Sequence, residues 1–383
     1  MDRLLRRVAM YCLPFSCALL FQLPSPASCA STGENSVVEH LGKIQTLCGY
    51  YISDADSFVM EAASGAMVGP GRGNGPFISF FRLRGRENAS EGFEEYATAN
   101  SENALVESCR QNFDSAAVVI GGAFEHKSST GRLRIGISVG ELSRKYAWSY
   151  DVARQQQSTQ DAVASATNGK GFRGILPDAN DRAILYGIFS EMEFIDSDRC
   201  HYGVAIDLAV ANGKPFWVSD DLHVKFGSMR GTVEAKILTR ESLLAFGPFV
   251  RLSFNGSSID FEQRADVSHI DRREYTSIGT EVLVGFAGHR HVAKHTLFQF
   301  KIGGLLPIRR SVDVTTSVHS GGTSGMDNYN GKYVSRPKKA VAASFGISSR
   351  IGNVWELNIG GGGTARDAAN YVFRGQASIG CEF

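Results

Sequence analysis

Residues 371–383 read YVFRGQASIGCEF, and their side chains alternate in character from one position to the next. Tyr371, Phe373, Ile379 and Phe383 occupy odd-numbered positions, whereas Arg374 occupies an even-numbered position between them. Successive side chains of a β-strand point to opposite faces of the sheet, so this stretch predicts a strand with one apolar and one polar face. No other stretch of the chain alternates as clearly.

The same period of two recurs from Phe77 onward, and no helical period of comparable strength interrupts it. Tyr202, Val204 and Ile206, for example, lie at every second position. Twelve such segments are predicted, centred near Phe81, Ile120, Ile137, Ile188, Ile206, Ala235, Val250, Val282, Phe300, Phe345, Leu357 and Phe373. The sequence therefore predicts an all-β fold over residues 76–383, with antiparallel strands where the connections are short.

The predicted connections differ in length in a regular way. Those after even-numbered strands are mostly short. Those after odd-numbered strands are mostly long, at residues 87–113, 145–181, 212–226, 255–273 and 307–338. Short turns on one rim and long loops on the other are typical of barrels that cross an outer membrane. Hydrocarbon cannot hydrogen-bond a free strand edge, so such a sheet must close. We predict a 12-stranded antiparallel up-and-down transmembrane β-barrel with a preceding short helical segment; a soluble β-sandwich is the alternative.

The polar face of the predicted strands carries charges of both signs. This density of charge suits a watery or plugged lumen. The residues expected to face the lumen are Arg82, Arg84, Arg134, Glu191, Glu193, Asp207, Glu234, Lys236, Arg251, Glu281, Lys301 and Arg374.

The first thirty residues have the composition of an export signal. Three arginines form a basic start, residues 8–23 are apolar and uncharged, and small residues at 28–30 suit a signal peptidase. Lipidation at Cys29 and a short membrane anchor are the alternatives. A cleaved signal over residues 1–30 predicts export to the outer membrane of a Gram-negative bacterium.

Residues 31–75 form a predicted helical and linker segment between the signal and the barrel. Val37, Leu41, Ile44 and Leu47 recur at helical spacing, and apolar residues recur again after Ser53. One or two helices are predicted, and we expect this segment to lie in the pore of the barrel.

Charge and cysteine usage exclude several classes of protein. The chain has 40 Lys and Arg against 39 Asp and Glu, so no nucleic-acid partner is expected. Beyond residue 30, no apolar run approaches the roughly 20 residues that a membrane helix needs. The cysteines after the signal are Cys48, Cys109, Cys200 and Cys381, which have no C-x-x-C spacing. A disulfide between Cys109 and Cys200 is left open.

In its predicted strands, from about residue 75 to residue 383, the chain resembles the barrel domain of autotransporters, the type V secretion translocators. The resemblance rests on GPFISFF at residues 75–81, AILYGIF at 183–189, FGPFVRL at 246–252 and residues 370–383, taken in that order. The family implies a 12-stranded barrel whose pore holds a helix that leads to a surface-delivered passenger. Here only about 45 residues separate the predicted signal from the barrel, too few for a large passenger. Some members of the family cleave themselves at a pair of asparagines in the pore. In this chain Asn35 and Asn74 are single asparagines, so the resemblance does not extend to self-cleavage.

Other motifs carry little specific chemistry. The glycine-rich stretch at residues 69–75 precedes a strand, unlike a dinucleotide loop, and is interpreted as a linker. His289, His291 and His295 lack an accompanying carboxylate or cysteine ligand. His319 with Ser320, and Asp266 with His269, match no recognisable catalytic motif. We therefore expect no enzyme activity, no cofactor and no metal.

The expected function is an autotransporter-like translocator, with or without a passenger. A structural or adhesive barrel and a narrow diffusion pore are the alternatives. The expected partners are outer-membrane lipid, the barrel assembly machinery and a possible passenger polypeptide. An aromatic residue at the end of an alternating last strand resembles the signal that this machinery reads. That signal is predicted to comprise Phe383, Ile379, Phe373 and Tyr371.

Overall fold

The computed structural model describes most of the chain after residue 36. The described residues are 37–69, 74–89, 106–152, 179–197, 200–213, 216–219, 222–241, 244–263, 270–319, 326–335, 338–352 and 354–381. The predicted signal and Phe383 lie outside these residues. Within the described residues, no helix is long and apolar enough to cross a membrane.

One helix precedes fourteen strands in the described part of the chain. The helix is α1 (Val37–Met67). The strands are β1 (Gly75–Asn88), β2 (Val106–Ser128), β3 (Gly131–Val152), β4 (Ala179–Ser197), β5 (Cys200–Gly213), β6 (Phe216–Ser219), β7 (Leu222–Glu241), β8 (Leu244–Gln263), β9 (Ile270–Ala293), β10 (Thr296–His319), β11 (Met326–Ser335), β12 (Ala340–Ile351), β13 (Trp355–Ala365) and β14 (Tyr371–Cys381).

Twelve of these strands close into an antiparallel β-barrel. Each pairs with its neighbour in sequence order, and β1 pairs with β14 from Phe77↔Gly380 to Arg86↔Tyr371. The short strand β6 pairs with β7, and β11 pairs with the distal half of β10, so both extend the barrel at one rim. All twelve predicted segment centres lie in the twelve barrel strands, which confirms the predicted fold class.

The outer face of the barrel is apolar along a continuous belt. Every barrel strand contributes at least one large exposed apolar side chain: Phe80, Ile120, Ile137, Ile188, Ile206, Val233, Val250, Val284, Ile302, Phe345, Ile359 and Phe373. A contiguous apolar surface of this extent is unusual for a protein in water. A hydrocarbon environment removes that cost, and the closed sheet leaves no strand edge unpaired there.

The two rims differ, as the connection lengths predict. At one rim, successive strands are joined by two or three residues, for example between β2 and β3; we call this the short-turn rim, and the opposite one the long-loop rim. Much of what was predicted as long loop is strand: β8 and β9 pair up to Glu262↔Arg272, and β10 and β11 pair up to His319↔Met326. The loop prediction was wrong there because the hydrogen-bond ladder continues beyond the apolar belt, where the outer face turns polar.

The N-terminal segment forms one uninterrupted helix, where one or two were predicted. The helix runs through Ser53 and Asp54, and the barrel wall binds both side chains. Ser257 donates a hydrogen bond to Ser53 (3.1 Å), and Arg310 forms an ion pair with Asp54 (3.0 Å). Polar residues that favour a turn in isolation are thus satisfied inside a helix.

A disulfide between Cys109 and Cys200 is incompatible with the topology. Cys109 pairs with Tyr150 near the long-loop rim, whereas Cys200 pairs with Ser197 at the short-turn rim. A disulfide requires Cα atoms within about 7 Å of each other. The two cysteines lie at opposite ends of the barrel and cannot meet.

Candidate functional site in the barrel lumen

The lumen holds the helix α1. The helix contacts strands from all sides of the barrel, and its described side chains from Thr46 to Met67 are mostly buried. At about 1.5 Å per residue, its 31 residues span roughly 46 Å, more than the ~25 Å apolar band of an outer-membrane barrel. Gly49 permits one close approach, since a Cβ there would lie 2.3 Å from the Tyr275 ring.

Ten of the twelve predicted lumen residues lie on the inner face. Each of the ten is on the face that carries the helix contacts: Arg134, Glu191, Glu193, Asp207, Glu234, Lys236, Arg251, Glu281, Lys301 and Arg374. Three of them contact α1 directly, Asp207, Arg251 and Arg374, and Arg134 binds the carbonyl of Val68 directly after it.

The prediction was wrong for Arg82 and Arg84, which lie on the outer face. Their side chains are 54% and 68% exposed, and both bind Asp114 at 3.0 Å. In β1 the buried positions include those of Phe77 and Phe81. Apolar side chains of this strand thus lie on both faces: those on the inner face pack on the helix, and those on the outer face belong to the belt.

The direction of α1 follows from its contacts. At its N-terminal half, the Tyr50 ring packs edge-on against Tyr333 of β11, which extends the long-loop rim. At its C-terminal end, the Val68 carbonyl accepts a hydrogen bond from Arg134 (2.9 Å), three residues from the turn between β2 and β3. The helix therefore enters the lumen at the long-loop rim and ends towards the short-turn rim, where β1 begins.

An ion cluster holds the helix near the long-loop rim. Asp54 forms ion pairs with Arg310 of β10 and with Arg366 of the β13–β14 turn, and Arg366 also binds Glu87 of β1. The Arg366 guanidinium lies 5.3 Å from the Phe58 ring centre, which adds a cation–π contact from the same helix. Side chains from two nearby parts of the wall thus converge on one helical carboxylate.

The turn that carries Arg366 is itself rigidly built. Asp367 accepts hydrogen bonds from the Ala369 amide (2.8 Å) and the Asn370 amide (2.9 Å). The Asn370 side chain lowers the pKa of the Asp367 carboxyl by donating to it. Asn370 also accepts a hydrogen bond from the Asn88 amide, which ties the turn to the end of β1. This geometry fixes the direction in which Arg366 projects.

A second cluster lies deeper in the lumen around Arg144 of β3. Arg144 binds Asp56 of the helix (3.0 Å) and Asp181 of β4, and its side chain is fully buried. Tyr146 donates a hydrogen bond to the same Asp56 oxygen (3.0 Å), and the guanidinium stacks over the Phe226 ring at 4.0 Å. Every charged group in this cluster has an opposite charge beside it, as burial requires.

The side chain of Arg230 of β7 binds the backbone of the helix. It donates to the Ser57 carbonyl (3.2 Å) while forming an ion pair with Glu281 (2.8 Å) and hydrogen bonds with Asn255 and Ser253. Residues of the barrel wall hold the Arg230 guanidinium in place, and the helix accepts a hydrogen bond from it.

A third cluster surrounds Glu61 in the middle of the lumen. Arg374 (3.2 Å) and Arg251 (3.4 Å) approach its carboxylate from opposite walls. Arg251 also binds Glu234, which in turn binds Lys301 (2.6 Å). The chain of alternating charges leaves little net charge on the lumen here.

Arginines of the wall favour the ionised form of the helical carboxylates. Arg374 and Arg251 face the Glu61 carboxylate, and Arg310 and Arg366 face that of Asp54. The helix is therefore attached to the wall by ion pairs.

Four arginines that hold the helix were not predicted as lumen residues: Arg144, Arg230, Arg310 and Arg366. Arg144 lies between Leu142 and Tyr146 on an inner face that is apolar. The prediction took the apolar face as the outer one, so charges beside inward-facing apolar side chains were missed. The acidic residues of the helix are the signal in the sequence that could have found these arginines, because a helix in the lumen needs basic partners on the inner faces of the strands.

Within the described residues, no group of three or more His, Cys, Asp or Glu side chains is arranged to hold a metal. His289 and His291 lie in β9 rather than in a turn. The residues Asp266, His269 and Ser320 lie outside the described residues.

The site and fold together define a closed β-barrel with a helix bound in its lumen. No protein-family model and no curated protein sequence matches the chain.

Solved structures of similar fold include three autotransporter domains. The translocator domain of the autotransporter NalP from Neisseria meningitidis is 12% identical, with a TM-score of 0.47, over 86% of this chain and 95% of that one. The transport unit of the autotransporter AIDA-I from Escherichia coli is 9% identical, with a TM-score of 0.47, over 82% and 91%. The beta domain of the Bordetella autotransporter BrkA is 11% identical, with a TM-score of 0.46, over 82% and 100%. The likeness concerns the barrel alone, which the strand pairing establishes independently.

Proposed function

We propose that this chain is an outer-membrane β-barrel of the autotransporter translocator type, exported by the signal at residues 1–30. The observation that supports this most directly is the path of α1. The helix joins β1 at the short-turn rim and leads through the lumen to the long-loop rim. A passenger polypeptide upstream of α1 would follow this path through the lumen to the cell surface.

The apolar belt and the unequal rims support insertion with the long-loop rim outside the cell. Barrels of the outer membrane keep their short turns in the periplasm and their longer loops outside. The expected partners follow: lipid around the belt, the barrel assembly machinery during insertion, and a passenger upstream of α1.

The bound helix disfavours an open diffusion pore. Carboxylates of α1 neutralise arginines from β3, β8, β10 and β14, so the helix fits this wall specifically. An adhesive role would depend on residues 90–105 and 153–178, which lie outside the described residues. Translocation is the function that uses the geometry of the lumen.

An epitope placed directly before Val37 tests the proposal. We expect antibody to reach it on intact cells, because the helix directs that segment outwards. The matched control is the same epitope between Ser128 and Gly131, in a turn of the short-turn rim, which we expect to be labelled only after the outer membrane is permeabilised. Labelling of the first epitope only after permeabilisation would contradict the proposal.

A further inference from the structure

The outer face of β1–β4 carries a patch of basic side chains just beyond the apolar belt. We call it the basic patch; its exposed members are Arg82, Arg84, Arg110, Lys145 and Arg182. Asp114 is the acidic residue among them, and it is bound by Arg82 and Arg84. Glu141 of β3 is also exposed, one outward position nearer the belt. Five positive charges against two negative charges leave an excess.

The strand register places these residues side by side. Arg84 pairs with Asp114, which pairs with Lys145; one step nearer the belt, Arg82 reaches Arg182 through Ala116 and Ser143. Adjacent strands lie about 4.8 Å apart, so the patch is roughly 14 Å wide. The next outward positions on β1 and β2 are Phe80 and Val118, which belong to the belt.

The opposite side of the barrel has no such excess among its described side chains. Beyond the belt on β7–β11, three basic and three acidic residues face outwards: Lys225, Asp260, Glu274, Arg309, Asp313 and Lys332. Lys332 and Asp313 form an ion pair at 3.2 Å. The described outward side chains of β7–β11 thus lack the excess of positive charge that β1–β4 carry.

We infer that the basic patch binds the phosphorylated headgroup of an anionic lipid in the outer leaflet. This inference rests on the proposed function, because it places the long-loop rim outside the cell. A lipid whose chains lie against Phe80 and Val118 presents its headgroup at the height of the patch. Guanidinium groups bind phosphate oxygens through paired hydrogen bonds. A patch about 14 Å wide is wider than a single phosphate group. It therefore fits a headgroup that carries two phosphates.

The test uses the full-length chain folded in detergent and titrated with lipid A, in its bisphosphorylated and dephosphorylated forms, with binding followed by native mass spectrometry. The patch variant is R82Q/K145Q/R182Q. The matched control is K225Q/R309Q/K332Q, which removes the same number of outward charges elsewhere. A third variant, D114N, removes the acidic residue of the patch.

We expect the patch variant to bind bisphosphorylated lipid A at least tenfold more weakly, since each surface charge contributes about fivefold. The control should bind within about twofold of the unchanged protein, and D114N should bind more tightly. Equal binding by the patch variant, equal binding of the dephosphorylated lipid, or displacement by inorganic phosphate at the same phosphate concentration would each overturn the inference. A folded barrel migrates faster on gels when unheated than when boiled, and the same samples are tested in this way. Loss of the fast form would show that the barrel itself has failed, whereas loss of lipid binding with the fast form retained would count against this inference alone.

Discussion

Arg144 projects from β3 into the lumen and reaches the helix. Its side chain is 0% exposed, and those of its partners Asp56 and Asp181 are 3% and 2% exposed. Charges buried to this degree are stable only when each has its partner, because their desolvation is costly. Removal of the arginine leaves two carboxylates facing each other across the helix–wall boundary.

We expect R144M to lower the free energy of unfolding by about 3–5 kcal/mol, the range for breaking a buried ion pair. The measurement is urea-induced unfolding of the barrel in detergent. R84M is the matched control: its guanidinium also binds an aspartate, but its side chain is 68% exposed, and exposed pairs contribute about 0–1 kcal/mol. Equal losses in the two variants would contradict the importance of burial at Arg144.

Sequence predicts lumen residues well where the outer face is apolar and the inner face is charged. Glu234 and Arg251 follow that rule. The rule fails towards the long-loop rim, where Leu83, Leu142 and Leu185 face inwards and pack around the helix. There the pattern inverts, so Arg82 and Arg84 were assigned to the wrong face. Only the helix, which comes from a distant part of the sequence, explains the inversion.

At the scale of elements, α1 is held by its charges rather than by its apolar residues alone. Asp54, Asp56 and Glu61 each meet an arginine, and Ser64 donates to Asp207. The helix therefore has a defined position in the lumen, and its removal opens the space that it occupies.

Deletion of Val37–Met67 should raise the conductance of the barrel in planar bilayers. A graded variant, D54N/D56N/E61Q, keeps the helix but removes its ion pairs, and we expect it to give conductance between the deletion and the unchanged chain. Single-channel recording makes the comparison. Unchanged conductance in the deletion would mean that the helix does not occupy the lumen in the membrane.

The last strand, β14, carries the predicted assembly signal. Phe373 and Ile379 are exposed on the outer face, and the Tyr371 and Phe373 rings contact each other. Phe383 lies outside the described residues, so its role stays a prediction.

Deletion of Phe383 should slow assembly in cells yet leave folding of the purified chain into detergent nearly normal, because an aromatic residue near the interface adds little stability. F345A removes an exposed aromatic side chain from the outer face of β12, outside the predicted signal, and is the control; we expect it to assemble at a nearly normal rate. Pulse-chase recovery of the heat-modifiable form measures assembly. Normal assembly without Phe383 would rule out the recognition role.

Strands are the elements that sequence predicts best here, because each barrel strand has an apolar stripe on the part of its outer face that forms the belt. Their ends are predicted poorly. Ser257 was taken as part of a loop, yet it faces the lumen from β8 and binds Ser53. Outside the belt, the ladder continues through backbone hydrogen bonds, which leave no hydrophobic period in the sequence.

For the whole molecule, the closed sheet predicts resistance to unfolding by detergent. We expect the mature chain to fractionate with the outer membrane and to migrate faster on gels when unheated than when boiled. A variant with proline at Ile78 and Phe80 is the control. It removes backbone donors on β1 near the seam with β14, and we expect it to lose the fast form. Recovery of the unchanged chain as a soluble periplasmic protein would contradict the membrane assignment.

The central claim is that α1 lies in the lumen in the cell, and one crosslink tests it most directly. The hydroxyl groups of Ser53 and Ser277 are hydrogen-bonded to each other, so cysteines at these positions would place their sulfur atoms side by side. In a chain whose other cysteines are replaced by serine, we expect S53C/S277C to form an intramolecular disulfide in cells, seen as a shift on non-reducing gels. The control S53C/S348C places the second cysteine on β12 near the short-turn rim and should not crosslink. Absence of the first crosslink, or equal formation of both, would contradict the account.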